Sequence, residues 1–200
     1  MFTGIIEEIG TIQNVAEKGD IHQYRIQATA EFMKGVELGD SISVSGICLT
    51  AYNIQNDSFQ VDVSVETQKC TSFGQPIRNN QVNLERAVTP STRLGGHLVS
   101  GHVDGLGTLV QRKDSYNETI LWISSPTELV KYIAVKGSIT INGVSLTVNQ
   151  TKEDQHCVTI IPHTLKNTTL NAIQVQDLVN LEVDLIARYL EKLSETTSRT

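Results

Sequence analysis

SISVSGICLT, residues 41–50, returns as SITINGVSLT, residues 138–147. Ser41 matches Ser138, Gly46 matches Gly143, Leu49 matches Leu146 and Thr50 matches Thr147 without a gap, an offset of 97 residues. Outward from this pair, the same offset aligns Gly4 with Gly101 in TGIIEEIGTI and SGHVDGLGTL. It aligns Thr67 with Thr164 in VETQKCT and PHTLKNT, and Val82 with Val179 in VNLERA and VNLEVD. Register held through so many anchors is the mark of a duplicated folding unit. The copies differ at telling positions: Cys48 stands where the second copy has Ser145, Glu66 where it has His163, and Gly39 where it has Lys136. Unequal groups at equivalent places suggest unequal jobs.

Short runs rich in Val, Ile and Thr, alternating with polar residues and ending at Gly, Asn or Asp, predict antiparallel strands. They cover residues 5–15, 22–28, 41–50 and 59–65, with counterparts in the second copy. Turn signals at these intervals fit a small sandwich or barrel, and closure removes exposed edges. Gly46 and Gly143, in mid-strand, predict a bulge or the close approach of another group. Thr29 is expected to cap a helical turn from Ala30 to Gly35, and Ser125 to open its counterpart. In the linker ERAVTPSTRLGG, Pro90 stops regular structure, and Gly95 and Gly96 free the backbone. The expected units are residues 1–94, 95–184 and 185–200. In the last, Leu185, Ile186, Tyr189, Leu190 and Leu193 recur at helical spacing, opposite Arg188, Glu191 and Lys192. Such a stripe must be buried on its own barrel or on a neighbour, and the polar tail SETTSRT is expected to fray.

A net charge of −6 among 200 residues and a pI near 5.3 argue against a nucleic-acid partner, which needs clustered Lys and Arg. No run reads as a secretory signal or a membrane span, so a cytoplasmic protein is expected. Cys48, Cys70 and Cys157 have neither disulfide nor zinc spacing.

For Cys48 the bland reading is a buried structural thiol; against it stands its place in the best-kept strand, with Ser145 in the copy. A thiol is partly ionised at neutral pH, whereas a serine needs a base beside it. His97 and His102 lie among glycines in GGHLVSGHVDG and, five apart on an extended segment, point to opposite faces. A hydrogen-bonded loop histidine is the ordinary alternative for each. Asp184 reads equally as a helix N-cap and as a functional acid. Glu85 and Glu182, repeated in VNLE, favour a structural role. Ser41, Thr50, Ser138 and Thr147 suit a polyol or a heterocycle. No Walker, Rossmann, nucleophile-elbow or metal motif is present.

MFTGII, SGICLT, GGHLVSGHVDG, INGVSLT and VNLEVDLIARYL together resemble the riboflavin synthase family of the alpha-subunit type, along essentially the whole chain. The resemblance implies an all-β fold of two tandem, pseudo-symmetric, six-stranded antiparallel Greek-key barrels, with C-terminal helices that hold a homotrimer. It implies dismutation of two 6,7-dimethyl-8-ribityllumazine molecules to riboflavin and 5-amino-6-(D-ribitylamino)uracil, without metal or redox cofactor. It also raises lumazine synthase as a partner. Carried over by motif, Gly4, Ile5, Ile6, Ser41, Cys48, Leu49, Thr50, Asp62, Val63, Ser64, Val65, Glu66 and Thr67 line a first lumazine site. Gly101, His102, Val103, Lys136, Ser138, Ser145, Leu146, Thr147, Ile161, Pro162, His163, Thr164, Leu165 and Lys166 line a second. The resemblance makes His102 the group that removes a proton from the C7 methyl. Cys48, Ser145 or a water adds to the other ring, and His97 and Asp184 support proton movement. The alternative in a different class is a non-catalytic lumazine or flavin binder, the lumazine protein type. In that group the seam histidines and the second-strand threonine are altered, whereas His97, His102 and Thr147 all stand here.

Overall fold

A computed structural model describes residues 1–197, with side chains through Ser194. The first repeat forms β1 (Glu8–Lys18), β2 (Ile21–Gln27), α1 (Ala30–Met33), β3 (Ser41–Val44), β4 (Ile47–Thr50), β5 (Tyr52–Gln55), β6 (Ser58–Ser64), α2 (Val65–Cys70) and β7 (Gln81–Arg86). The second forms β8 (Gly105–Asp114), β9 (Thr119–Ser124), α3 (Thr127–Val130), β10 (Ser138–Ile141), β11 (Val144–Lys152), β12 (Gln155–Ile160), α4 (Pro162–Lys166), β13 (Leu178–Val183) and then α5 (Leu185–Thr197).

β10, β11, β12, β9, β8 and β13 close into a barrel in that order. The first repeat pairs in the same sequence, β4-β3-β7-β1-β2-β6-β5. Its two edge strands are separated by Ala51 alone, so β4 runs straight into β5 and the sheet returns on itself. In the second repeat the equivalent strand, β11, is unbroken. Alternation does the filling, because inward Ile42, Val44, Leu49, Val61 and Val63 make one core and Ile139, Ile141, Leu146, Val158 and Ile160 the other.

The run 41–50, read from sequence as one strand, is a hairpin: Ser41 pairs with Thr50 and Ser43 with Cys48. Ser45 and Gly46 turn it with φ of 48° and 86°, and Asn142 and Gly143 repeat the turn with 49° and 80°. Positive φ at both central residues is the two-residue turn that matches strand twist. The two turns meet back to back, so a Cβ added to Gly46 would lie 2.8 Å from the Gly143 nitrogen. Around them, buried amides cross between the barrels. Asn83 Nδ2 donates to the Asn142 carbonyl (2.8 Å) and Asn180 Nδ2 to the Ser45 carbonyl (2.8 Å). Their Oδ1 atoms accept from Thr169 N and Ser72 N, each at 2.7 Å.

Thr29 caps α1 as expected, accepting from Phe32 N at 3.2 Å. Ser125 does not cap α3; its hydroxyl faces His156 Nδ1 at 3.0 Å instead. Asp184 Oδ1 accepts from Ile186 N (2.9 Å) at the start of α5. The helix continues to Thr197, inside the stretch expected to fray, and residues 198–200 lie outside the described residues. Its polar face meets its own barrel, Arg188 on Asp104 and Glu191 on Lys131 and Tyr132. Ile186, Tyr189, Leu190 and Leu193 point away, 57–66% exposed. No helix among the described residues is long and apolar enough to cross a membrane.

Candidate active site

Before each barrel's first strand runs an extended strap, residues 2–7 and 99–104. A buried glutamate grips each strap. Glu85 Oε1 accepts from Thr3 N (2.6 Å) and Thr3 Oγ1 (2.7 Å), and its Oε2 from Gly4 N (3.0 Å). Glu182 Oε1 accepts from Ser100 N and Oγ (both 2.7 Å), and its Oε2 from Gly101 N (3.0 Å). Repetition of the VNLE glutamate thus has its cause in the repeated strap. Burial pushes the Glu85 carboxyl up, against the pull of its three donors.

The straps then cross over. Gly101, from the second repeat, accepts through its carbonyl from Cys48 N in the first barrel (2.7 Å), and Val103 packs into the first barrel's core. Gly4, from the first repeat, accepts from Ser145 N in the second barrel (2.7 Å), and Ile6 packs into the second core. Phe2 and Val99 pair between the straps, both 1% exposed. This corrects the grouping expected from sequence order: Gly4 and Ile6 belong with Ser145, and Gly101, His102 and Val103 with Cys48, while Ile5, between the first two, lines a cleft beside Ser41. Only glycine fits the two crossing points. Gly4 and Gly101 have φ of +76° and +78°, and an added Cβ would lie 2.6 Å from Ser145 Cβ or 2.7 Å from Cys48 Cβ.

At the first site, Cys48 is half-buried and Thr50 exposed, on the outward side of β4, while Leu49 points into the core. Ser41 is half-buried opposite Thr50. Tyr52 pairs with Gln60, which sets the end of β6 and the start of α2 at the same end of the barrel. There Ser64 Oγ caps Thr67 N (3.1 Å), Val63 is buried, Val65 half-buried and Glu66 exposed. Asp62 Oδ1 accepts from Tyr52 OH (2.5 Å) and Gln23 Nε2 (3.1 Å). Burial and that carboxylate push the Tyr52 phenol up to about 12. His102 is exposed, one residue beyond the carbonyl on Cys48.

The second site repeats this with different chemistry. Ser145 is half-buried, Thr147 exposed opposite Ser138, and Leu146 turned into the core. His97 Nδ1 lies 2.8 Å from Ser145 Oγ, and its Nε2 is buried without a partner among the described residues. Burial lowers the His97 pKa, and the Asp184 carboxylate opposes this. A neutral imidazole against a hydroxyl can take its proton. Lys136 is exposed, with a left-handed φ of 68°. Val148 pairs with Val158, which brings the β12 exit and α4 to this end. Ile161, Pro162, His163 and Lys166 are exposed there, Thr164 half-buried, and Leu165 packed on the core.

The five residues expected to do chemistry therefore divide: Cys48 and His102 at the first barrel, Ser145, His97 and Asp184 at the second. Clefts of about 660 Å³ beneath the linker and about 620 Å³ between the barrels are lined by neither Cys48 nor Ser145. Sequence reading missed the crossing of the straps and the contacts of Asp104 and Arg188, whose only signal was the offset that aligns Asp104 with Glu7.

Residues 3–87 and 100–184 each match the lumazine binding domain family. The chain is 44% identical to the riboflavin synthase of Actinobacillus pleuropneumoniae, over 96% of this chain and 89% of that protein. It is 40% identical to that of Bacillus subtilis (strain 168), over 95% and 88%. Among solved structures it resembles LumP complexed with riboflavin, with a TM-score of 0.85 and 25% identity over 92% of this chain and 99% of that one. Duplicated domains of this kind, with relatives of this identity along nearly the whole length, make the chain a member of the riboflavin synthase family.

Proposed function

We propose that each barrel binds one 6,7-dimethyl-8-ribityllumazine and that the pair dismutates to riboflavin and 5-amino-6-(D-ribitylamino)uracil by transfer of a four-carbon unit. The products together hold every atom of two lumazines, so neither oxidant nor reductant enters. The observation that carries the reading is the matched pair of strand ends, Cys48 and Ser145, each roofed by a glycine of the other repeat and backed by different groups. A reaction that uses one compound in two roles needs two similar pockets with unequal chemistry, held in a fixed relation. The residue set is the one named from sequence, with the straps exchanged.

His102 takes the proton from the C7 methyl of one lumazine. Addition to the other ring comes from Cys48, Ser145 or a water, with neutral His97 accepting the Ser145 proton and Asp184 steadying the imidazolium. Exposed Thr50 and Thr147 and the strand-edge amides hold the ribityl chain and the ring edge. The functional units are residues 1–94 and 95–184, and residues 185–200 join three chains. The outward stripe of α5 supports that homotrimer, in which the first barrel of one chain faces the second barrel of its neighbour. Three free cysteines suit the reducing cytoplasm.

The test is to mix purified protein with 6,7-dimethyl-8-ribityllumazine alone and follow riboflavin by absorbance and the pyrimidine by chromatography. Equal amounts of the two are expected, and His102→Gln should slow their formation strongly with binding retained. Tight binding without riboflavin would put the non-catalytic antenna or storage reading first. Leu190→Glu should give monomers in sedimentation and abolish turnover, while each chain still binds lumazine.

A further inference from the structure

The straps are anchored alike at their starts and differently at their ends. In the first repeat, Glu7 Oε1 accepts from Arg86 N (2.7 Å), and its Oε2 from the guanidinium of the same residue, at 2.9 Å from Nε and 2.5 Å from Nη2. That strap is closed by its own barrel. In the second repeat, Asp104 stands in the place of Glu7 and accepts from Val183 N (2.8 Å), the counterpart of Arg86 N. Val183 has no charge to offer. The guanidinium comes instead from Arg188 on α5, whose Nη2 reaches Asp104 Oδ2 (2.8 Å) and the His102 carbonyl (3.2 Å). Among the described residues Arg188 Nε is buried without a partner, so the contacts of Nη2 tie this guanidinium to the strap.

We propose that Arg188 is a positioning residue for the Cys48 site: through Asp104 and the His102 carbonyl it fixes the strap 99–104 over the first barrel, so that this site holds its working geometry only while α5 is docked. The strap 2–7 over the Ser145 site is closed by Arg86 and not through Arg188. The asymmetry follows from the chain itself, because the same job is done by a local arginine in one repeat and by a helix residue in the other. Ile186, Tyr189 and Leu190 face outward from that helix, so whatever covers them steadies α5, and the effect reaches Cys48 through a charge-assisted pair. The inference rests on the two-lumazine reading above and deepens it.

Amide hydrogen exchange on the full-length oligomer tests it, since Ser100, Gly101, His102 and Asp104 all donate their N–H groups in hydrogen bonds, as do Thr3, Gly4, Ile5 and Glu7. Arg188→Ala should speed exchange at residues 100–104 by roughly tenfold or more and leave residues 3–7 alone; Arg86→Ala should do the reverse. Turnover of Arg188→Ala should fall roughly tenfold or more with the second site's lumazine occupancy unchanged. Arg188→Lys, able to reach one acceptor but not both, should recover part of the loss. Unchanged exchange at 100–104 in Arg188→Ala, or equal loosening of both straps, would overturn the proposal. If the wild-type protein makes no riboflavin, the reaction is lost, and the exchange pattern still decides the strap.

Discussion

Lys136 occupies a left-handed position, φ +68°, that its counterpart Gly39 takes at +94°. A side chain held in that conformation costs about 1 kcal/mol, so its retention points to a use. Lys136→Gly should raise unfolding free energy by about that amount and weaken lumazine binding at the second site. A denaturant melt and a fluorescence titration check the two halves, and unchanged affinity would remove Lys136 from the site. His156 makes the opposite bargain, being 1% exposed with burial pulling its pKa from 6.5 to about 4. The unfolded chain takes up a proton that the folded one refuses. Stability should therefore fall as pH drops from about 6.5 to about 4, by about 3 kcal/mol from this group, and level off below. His156→Gln should flatten that limb of a melting-temperature profile. Nothing near His156 in sequence announced its burial, which follows from the β12 register that sets it opposite Ile123.

The two hairpins β3–β4 and β10–β11 join the barrels through their turns. Gly46→Ala must meet both a φ of +86° and a backbone nitrogen 2.8 Å from the new Cβ, whereas Gly39→Ala, at +94°, meets nothing within 4 Å among the described residues. Loss in the second variant should be about 1–2 kcal/mol, the price of conformation alone, and in the first at least about 1 kcal/mol more. Equal losses by denaturation would mean that the turns are free to separate. Strand existence was legible in sequence because alternation and register were kept through the offset. The turn inside 41–50 was not, since Ser45 is a poor advertisement for a left-handed position, although Asn142–Gly143 in the copy is a good one. Close approach at Gly46 was foreseen, and its partner turned out to be the other copy of itself.

Across the two barrels, duplication and sheet closure could be read from one line of text, yet the exchange of straps could not. A repeat shows which residues are equivalent and is silent on which copy each one touches, and both arrangements leave the same periodicity. Buried amides carry the consequence. Asn180 donates to the Ser45 carbonyl and accepts from Ser72 N, both in the first repeat. Asn180→Ala leaves the buried Ser45 carbonyl and the half-buried Ser72 N–H without this partner, at a cost of about 1–3 kcal/mol. Exchange protection should fall around Ser45 and Ser72, far from the substitution in sequence, and loss confined to β13 would contradict this.

These crossings also set an order of events in time. On a ribosome adding about 5–20 residues per second, Ser45 is made roughly 7–27 seconds before Asn180, 135 positions later. Until then the first barrel carries an unmet carbonyl, and the strap over Cys48 still waits for the grip of Glu182. The last strand to be synthesised completes the first half as much as its own.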